Sequence, residues 1–262
     1  MFNKTDINEI KKILKQKSKL EKCVDVLRYI KRLLFNIGII GLIKNVRREK
    51  TTSGNYSNIW KKEIIRNLSE KENWRKNRKQ FLDLIDFESL EKIFKILAKN
   101  HTTIIDIGSY DGFFIDYYKD FKQIILSDLT EYSNLYPNDN KFKFILLNGK
   151  DLNSIPSSSI DVVFSVDTFV RIKKIILKNY FENFPRIVKC GGIIIVHIPN
   201  IFNIHSLSMS FTFVSSFFFR RILSDYFDEI LFDDTLHKLS TVIIAKRNNK
   251  KFVRWKIGSN QN

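Results

Sequence analysis

The chain has few of the residues that build disulfide frameworks and metal centres. Its 262 residues include only two cysteines, Cys23 and Cys190, and four scattered histidines. Two thiols far apart in sequence form neither a disulfide framework nor a zinc cluster, and they are typical of a reducing compartment. We therefore expect a cytoplasmic protein without a bound metal.

Long apolar runs are also missing. The longest are Leu33–Ile43 and Ser210–Phe219, and both are shorter than the roughly 20 residues that a membrane-spanning helix needs. Residues 1–16 have no apolar segment of the kind found in secretory signal peptides. The sequence thus predicts that the chain does not cross a membrane, and any membrane contact is expected to be peripheral.

The net charge of +17 is concentrated at the two ends of the chain. Residues 1–100 hold 25 basic and 12 acidic side chains, residues 101–243 hold 14 and 16, and residues 244–262 hold 6 and none. Basic ends favour contact with phosphate, on a membrane surface or on a nucleic acid. The alternative interpretation is a solvated basic face, with part of the lysine excess arising from a genome bias toward A/T-rich codons.

The secondary-structure pattern changes near residue 100. Residues 1–100 predict a basic helical segment, with apolar residues at helical spacing over 5–35, 59–66 and 82–97. From Thr102 onward, short apolar runs alternate with helical stretches, which predicts a mostly parallel α/β sheet of about seven strands with helices on both faces. Residues 101–247 form this predicted domain, 202–223 an apolar insert within it, and 248–262 a basic tail.

The predicted strands end with an edge pair. The strands are expected at 102–106, 124–127, 142–147, 161–166, 193–198, 229–233 and 239–246. The last two are joined by a short link, which predicts an antiparallel pair. A helix is expected over 173–188, and a turn at Gly191-Gly192 before the fifth strand.

The strongest functional signal is the glycine turn after the first strand, Asp-Ile-Gly-Ser-Tyr-Asp-Gly (106–112). Gly108 and Gly112 let the backbone approach a ligand, and the following helix offers free N–H groups. A nicotinamide fingerprint needs G-x-G-x-x-G, and Tyr110 stands where another glycine is required. Asp106 would face a pyrophosphate unfavourably, but it can accept a hydrogen bond from an ammonium group.

Further motifs follow in order along the chain. Asp128 ends the second strand, about twenty residues after the turn, where a carboxylate can bind both hydroxyls of a ribose. Asp151 and Leu152 follow the third strand and precede Ile155-Pro156, and the run 187–192 leads to the fifth strand.

Together these motifs resemble the class I S-adenosylmethionine (SAM)-dependent methyltransferase family. That family has Asp-x-Gly-x-x-x-Gly, an acid after the second strand, an Asp before a Leu-Pro-like pair, a Phe-Asp-x-Val-like fourth strand and a Lys-Pro-Gly-Gly-like turn. The resemblance covers residues 102–200 well, 225–247 loosely and the first hundred hardly at all. It implies a Rossmann-like sheet, preceded here by the helical N-terminal segment, with SAM as cofactor and methyl transfer as activity.

The resemblance also implies roles for single residues. Asp106, Gly108 and Gly112 would hold the methionine part of SAM. Asp128 would bind the ribose hydroxyls, and Asp151 would accept a hydrogen bond from the adenine amino group. The other residues expected at the cofactor are Ser109, Leu129, Leu152, Ser165 and Val166.

The sequence departs from the family pattern at two positions. Tyr110 replaces a small residue in the turn, and Arg171 stands near the place where many relatives have a histidine. The resemblance therefore transfers no catalytic group. Asp167 and His197 face the expected cleft and are candidate bases for a hydroxyl acceptor; a helix cap and a core histidine are the alternative interpretations.

Several functions fit these motifs. The leading hypothesis is methyl transfer to a hydroxyl of a glycan, a lipid-linked sugar or a small metabolite. The basic helix and the Phe-rich insert, with Arg220 and Arg221 after its phenylalanines, suggest an acceptor pocket or a membrane contact. Core or dimer packing is the alternative. The phenylalanines concerned are Phe211, Phe213, Phe217, Phe218 and Phe219. An RNA methyltransferase is favoured by the basic N-terminal segment and opposed by the acidic balance of residues 101–243. A degenerate SAM-binding subunit is the third hypothesis, and the oligomeric state is not predicted.

Overall fold

The computed structural model describes residues 8–10, 12–13, 87–199, 214–233 and 241–250. Most of the predicted N-terminal helices, Phe211 and Phe213 of the insert, and the basic tail from residue 251 lie outside these residues. The described helices are α1 (Phe87–Asn100), α2 (Ile115–Tyr118), α3 (Lys174–Ile187) and α4 (Ser216–Leu223). The strands are β1 (Thr103–Ile107), β2 (Gln123–Asp128), β3 (Phe142–Leu146), β4 (Ile160–Ser165), β5 (Val188–Ile198), β6 (Phe227–Asp233) and β7 (Thr241–Arg247).

The seven strands form one sheet in the order β3-β2-β1-β4-β5-β7-β6. Strands β1 to β5 are parallel, and β7 is antiparallel to both β5 and β6. The predicted mostly parallel sheet and its antiparallel edge pair are thus confirmed. The chain moves from β1 outward to β3 and then returns to β4 on the other side of β1. Ligands of open α/β sheets bind at the carboxyl ends of the strands where the direction reverses in this way.

Two apolar layers cover the sheet, because neighbouring residues of a strand point to opposite faces. In β1, Ile104 belongs to the layer beneath α1 and α2, whereas Ile105 and Ile107 belong to the layer beneath α3 and α4. Every residue of β1 and β4 is buried. This accounts for their nearly continuous apolar sequences, which are typical of strands covered on both faces.

Helix α1 is packed directly on the sheet, although its sequence lies in the predicted N-terminal segment. Its buried residues Leu90, Ile93, Phe94 and Leu97 follow helical spacing. The Phe94 ring centre lies 5.1 Å from that of Phe164 in β4. Ile10 is buried in the same layer.

The turn predicted at Gly191-Gly192 is a bulge inside β5, so the prediction that the strand begins after it was wrong. Ile160 pairs with Val188 and Val162 pairs with Ile193, which leaves the intervening residues of β5 out of register. Gly191 has a φ of +80°, and a Cβ on Gly192 would come within 2.7 Å of the Asp161 carbonyl oxygen. The glycines are required by the bulge rather than by a chain reversal.

The helix after the glycine turn is short. The helix-like sequence there extends to Phe121, but α2 covers only Ile115–Tyr118. Among the described helices, none is both long and apolar enough to span a bilayer.

Candidate active site

The turn after β1 is held by both neighbouring strands. The backbone N–H groups of Gly108 and Ser109 donate to the Ser127 carbonyl oxygen at 2.7 and 3.1 Å. On the other side, the Ser165 hydroxyl donates to the Ile107 carbonyl oxygen at 2.8 Å. Ser165, expected at the cofactor, is fully buried. Its hydroxyl therefore fixes the end of β1 at the point where β1 and β4 diverge.

Gly108 lies where the loops after β1 and β4 touch. Its φ is +79°, and a Cβ at this position would come within 2.6 Å of Thr168 Cγ2 and 2.8 Å of Thr168 Cβ. A side chain would therefore meet both backbone strain and steric overlap. Glycine at 108 brings the loop after β4, which also holds Val166 and Asp167, against the turn.

Tyr110 fits the turn because Asp128 supports its backbone. The φ of Tyr110 is +50°, and its N–H donates to Asp128 Oδ2 at 3.1 Å. Asp128 Oδ1 accepts from the N–H groups of Leu129 at 2.7 Å and Thr130 at 3.3 Å. The Tyr110 ring packs edge-on against Tyr132 with ring centres 5.1 Å apart. Asp128 thus links the turn after β1 to the loop after β2.

Asp106 is a buried carboxylate with an aromatic donor. It is 1% exposed, and the Tyr118 hydroxyl donates to its Oδ2 at 2.7 Å. Burial raises the pKa of Tyr118 well above its ordinary value, and the Asp106 charge adds to the shift. The phenol therefore keeps its proton and remains a donor to Asp106.

Asp111 is a further acid of the site that the sequence analysis did not select. It is 8% exposed, and its charge raises the pKa values of Tyr118, Tyr132 and Tyr136, although burial is the largest cause for each. The signal was present in the sequence, since Asp111 stands inside the glycine turn. Residues 101–118 contain three aspartates, Asp106, Asp111 and Asp116, and no lysine or arginine. Such a turn favours a cationic ligand and disfavours a phosphate.

The loops after β2 and β3 meet on one side of the crevice outside the carboxyl ends of the strands, where sheets of this kind bind ligands. Leu129 is 57% exposed, and a Cβ on Gly149 would lie 2.9 Å from its Cδ2. Asp151 Oδ1 accepts from Asn148 Nδ2 at 3.1 Å and from the Asn153 N–H at 3.0 Å. An exposed leucine beside a fixed carboxylate offers a ring-shaped ligand both an apolar surface and an acceptor.

The buried side of this loop is apolar and well anchored. Leu152 is fully buried, and its carbonyl oxygen accepts from Arg186 Nη2 at 2.6 Å. Leu152 therefore anchors the loop after β3 beneath Asp151.

Asp167 and His197, the two candidate bases, are neighbours. The N–H of Asp167, whose φ is +59°, donates to His197 Nδ1 at 3.1 Å. His197 is fully buried. The Asp167 side chain is 26% exposed, and both of its oxygens lie 3.4 Å from Arg171 Nη2. The structure thus brings Asp167, His197 and Arg171 together at the carboxyl ends of β4 and β5.

In the part of the chain that the structure describes, no three His, Cys, Asp or Glu side chains are grouped as metal ligands. Cys190 is a free thiol exposed in the β5 bulge.

Comparisons with known proteins agree on the fold. No family model and no curated protein matches the sequence. Among solved structures, the PH0226 protein from Pyrococcus horikoshii OT3 is similar over 66% of this chain and 99% of its own, with 16% identity and a TM-score of 0.52. A chain of the complex between the Trm112 methyltransferase activator and a methyltransferase from Haloferax volcanii matches over 71% and 99%, with 15% identity and a TM-score of 0.51.

A third similar structure contains ligands. It is the 1,6-didemethyltoxoflavin-N1-methyltransferase of Burkholderia thailandensis, with bound 1,6-didemethyltoxoflavin and S-adenosylhomocysteine. It matches 74% of this chain and 90% of its own, with 11% identity and a TM-score of 0.54. Together with the strand order, these similarities show that the chain has the Rossmann-like fold of the class I SAM-dependent methyltransferases, as its motifs predict.

Proposed function

We propose that the chain is a SAM-dependent methyltransferase whose cofactor binds at the switch point between β1 and β4. The observation that carries this proposal is the acidic glycine turn, in which the buried Asp106 and Asp111 are joined by Asp128, whose Oδ2 accepts from the Tyr110 N–H. Three carboxylates at one turn are suited to the ammonium and sulfonium charges of SAM and unsuited to a dinucleotide pyrophosphate.

The proposed cofactor contacts extend along the carboxyl edge of the sheet. The turn with Ser109 and Gly112 would hold the methionine end, and Asp128 the ribose hydroxyls. Leu129 and Asp151 would contact the adenine, since one offers exposed apolar surface and the other an oriented carboxylate. Val166, which is 6% exposed, would border the methyl group from the loop after β4.

We infer that Asp167 serves as the base for a hydroxyl acceptor. SAM supplies an activated methyl group when bound, so the protein contributes alignment and removal of the acceptor proton. Of the two candidate bases, Asp167 is partly exposed, while His197 is buried and accepts a hydrogen bond through Nδ1. Arg171 lies on the carboxylate and orients it. His197 is therefore a positioning residue for Asp167 in this proposal.

Cofactor binding is tested by thermal unfolding with S-adenosylhomocysteine. A ligand at 100 times its dissociation constant stabilises a protein by about 2.7 kcal/mol. We expect a clear rise in the midpoint for the wild type and for Asp116→Ala, which removes an exposed acid of α2, but none for Asp128→Ala. A wild-type protein that responds to neither S-adenosylhomocysteine nor SAM would contradict the proposal.

The acceptor is tested separately with labelled SAM and a panel of sugar, lipid-linked sugar and RNA acceptors. We expect incorporation into a hydroxyl compound, reduced at least about a hundredfold in Asp167→Asn with the S-adenosylhomocysteine response retained. Incorporation into RNA alone would support the RNA methyltransferase hypothesis. Binding of the cofactor without transfer to any member of the panel would support the SAM-binding subunit.

A further inference from the structure

The first turn of α3 and the outer face of α4 combine exposed apolar and basic side chains. Ile175 is 64% and Phe217 is 69% exposed, and Lys174, Arg220 and Arg221 are exposed beside them. The first turn of α3 contains no acid, and neither does the sequence of α4. We refer to these five residues as the α3–α4 patch.

Contacts between the two helices make the patch one surface. The Lys174 Nζ lies 5.2 Å from the centre of the Phe218 ring, which joins the N-terminal turns of α3 and α4. On the inner side, Phe219 packs against Phe181 with ring centres 4.6 Å apart. Residues 217, 220 and 221 share the opposite face of α4, because they are three and four positions apart. The helix is thus anchored by one face and presents the patch on the other.

The patch begins at the edge of the sheet that holds the proposed active site. Helix α3 starts three residues after Arg171, in the segment that follows the carboxyl end of β4. Lys174 is therefore close in the chain to the Asp167–Arg171 ion pair. A partner bound to the patch would lie beside the crevice that would admit the acceptor.

We propose that the α3–α4 patch docks the protein on an anionic membrane surface. At such a surface, aromatic and branched apolar side chains insert between the headgroups while lysine and arginine attract anionic lipids. Both kinds of side chain are exposed together here, and the charge of the patch is complementary to an anionic leaflet. RNA would also attract the cations, but it offers no apolar layer for Ile175. The proposal does not depend on methyl transfer; it would place the crevice next to lipid-linked acceptors.

The test is flotation of the full chain with phosphatidylcholine vesicles that contain or lack phosphatidylglycerol. We expect binding only to the anionic vesicles. Loss of a membrane-inserted side chain in Phe217→Ser or Ile175→Ser should weaken binding about tenfold. Lys174→Gln combined with Arg221→Gln should weaken it about fivefold for each charge. Phe217→Trp keeps an aromatic anchor and should bind at least as well as the wild type.

Matched controls separate the patch from the rest of the basic chain. Leu146→Ser removes a 53% exposed leucine from β3, the outermost strand on the side of the sheet away from β5. This variant should leave vesicle binding unchanged. Wild-type protein that does not bind anionic vesicles, or patch variants that bind like the wild type, would overturn the proposal. So would binding to polyuridylate that is lost in the charge variant while vesicles are not bound, because the patch would then be a nucleic-acid surface.

Discussion

The backbone N–H of Asp167 donates to Nδ1 of His197 at 3.1 Å, which ties the loop after β4 to the neighbouring strand β5. Because Nδ1 is the acceptor, the hydrogen of the neutral imidazole is on Nε2. The bond also supports the left-handed backbone of Asp167, whose φ is +59°. An aspartate tolerates this conformation better than most residues do. The two candidate bases are therefore hydrogen-bonded neighbours that differ in exposure, since the histidine is buried and the carboxylate is partly accessible.

The first prediction separates the two residues by stability. His197→Ala should lower the free energy of unfolding by about 2–4 kcal/mol, because it leaves a cavity and a donor without its acceptor. Asp167→Asn should change it by less than about 1 kcal/mol, since asparagine also accepts the left-handed backbone and the ion pair with Arg171 is partly exposed. Urea unfolding measures both. Equal losses in the two variants would contradict the assignment of His197 as the buried support.

The second prediction concerns the contact between Gly108 and Thr168. Gly108→Ala should destabilise the protein by about 3 kcal/mol, because the new Cβ combines a strained φ with overlap onto the threonine side chain. Thr168→Gly removes the overlapping atoms. The double variant should therefore be more stable than the sum of the single changes by at least about 1 kcal/mol. Additive losses would mean that the two loops move apart and do not touch at this position.

The sequence predicts the architecture well because the relevant signals are local. Segments rich in β-branched residues, such as Thr103–Ile107, are buried on both faces, and the alternation of strands and helices leads directly to a parallel sheet. The position of Asp128 at the end of β2 was also predictable from its distance from the turn. The start of β5 was not, because a glycine pair fits a bulge as well as a turn, and only the pairing of Val188 with Ile160 distinguishes them.

Side-chain partners across the sheet were beyond the sequence. Nothing local indicates that Asp128 accepts from Tyr110, that Tyr118 donates to Asp106, or that Nδ1 of His197 is an acceptor. These bonds depend on which loops the strand order brings together. The motifs therefore indicated residues that lie together at the carboxyl edge of the sheet, but they did not indicate Asp111.

The third prediction concerns the buried pair Tyr118 and Asp106. Tyr118→Phe should lower the free energy of unfolding by about 2 kcal/mol, because it removes the donor from a buried carboxylate. Tyr117→Phe is the matched control. Tyr117 is half-buried and stacks on Phe87 with ring centres 4.9 Å apart, and the variant retains that ring. The control should differ from the wild type by less than about 0.5 kcal/mol. A loss as large in the control would indicate that ring packing, rather than the bond to Asp106, dominates on α2.

The last prediction uses the pH dependence of Asp161, at the edge of the sheet opposite the site. Its Oδ2 accepts from the N–H groups of Thr102 at 3.1 Å and Thr103 at 2.9 Å, and from Lys189 Nζ at 2.9 Å. Burial pushes the pKa of Asp161 upward, but the hydrogen bonds from Lys189, Thr103 and Thr102 outweigh it and lower the pKa below its ordinary value. The folded state thus favours the ionised form.

A carboxyl group whose folded pKa is depressed stabilises the protein above its unfolded pKa, and this contribution is lost as the pH falls through the folded value. Asp161→Asn should therefore cost about 2 kcal/mol at pH 7, mainly through the backbone bonds, because solvent screens the partly exposed Lys189. The difference between wild type and variant should stay constant down to about pH 5 and shrink below about pH 4. Urea unfolding from pH 7 to pH 3 measures it, with the exposed Asp120→Asn as control. A difference independent of pH would mean that the side chain is held by shape rather than by its charge.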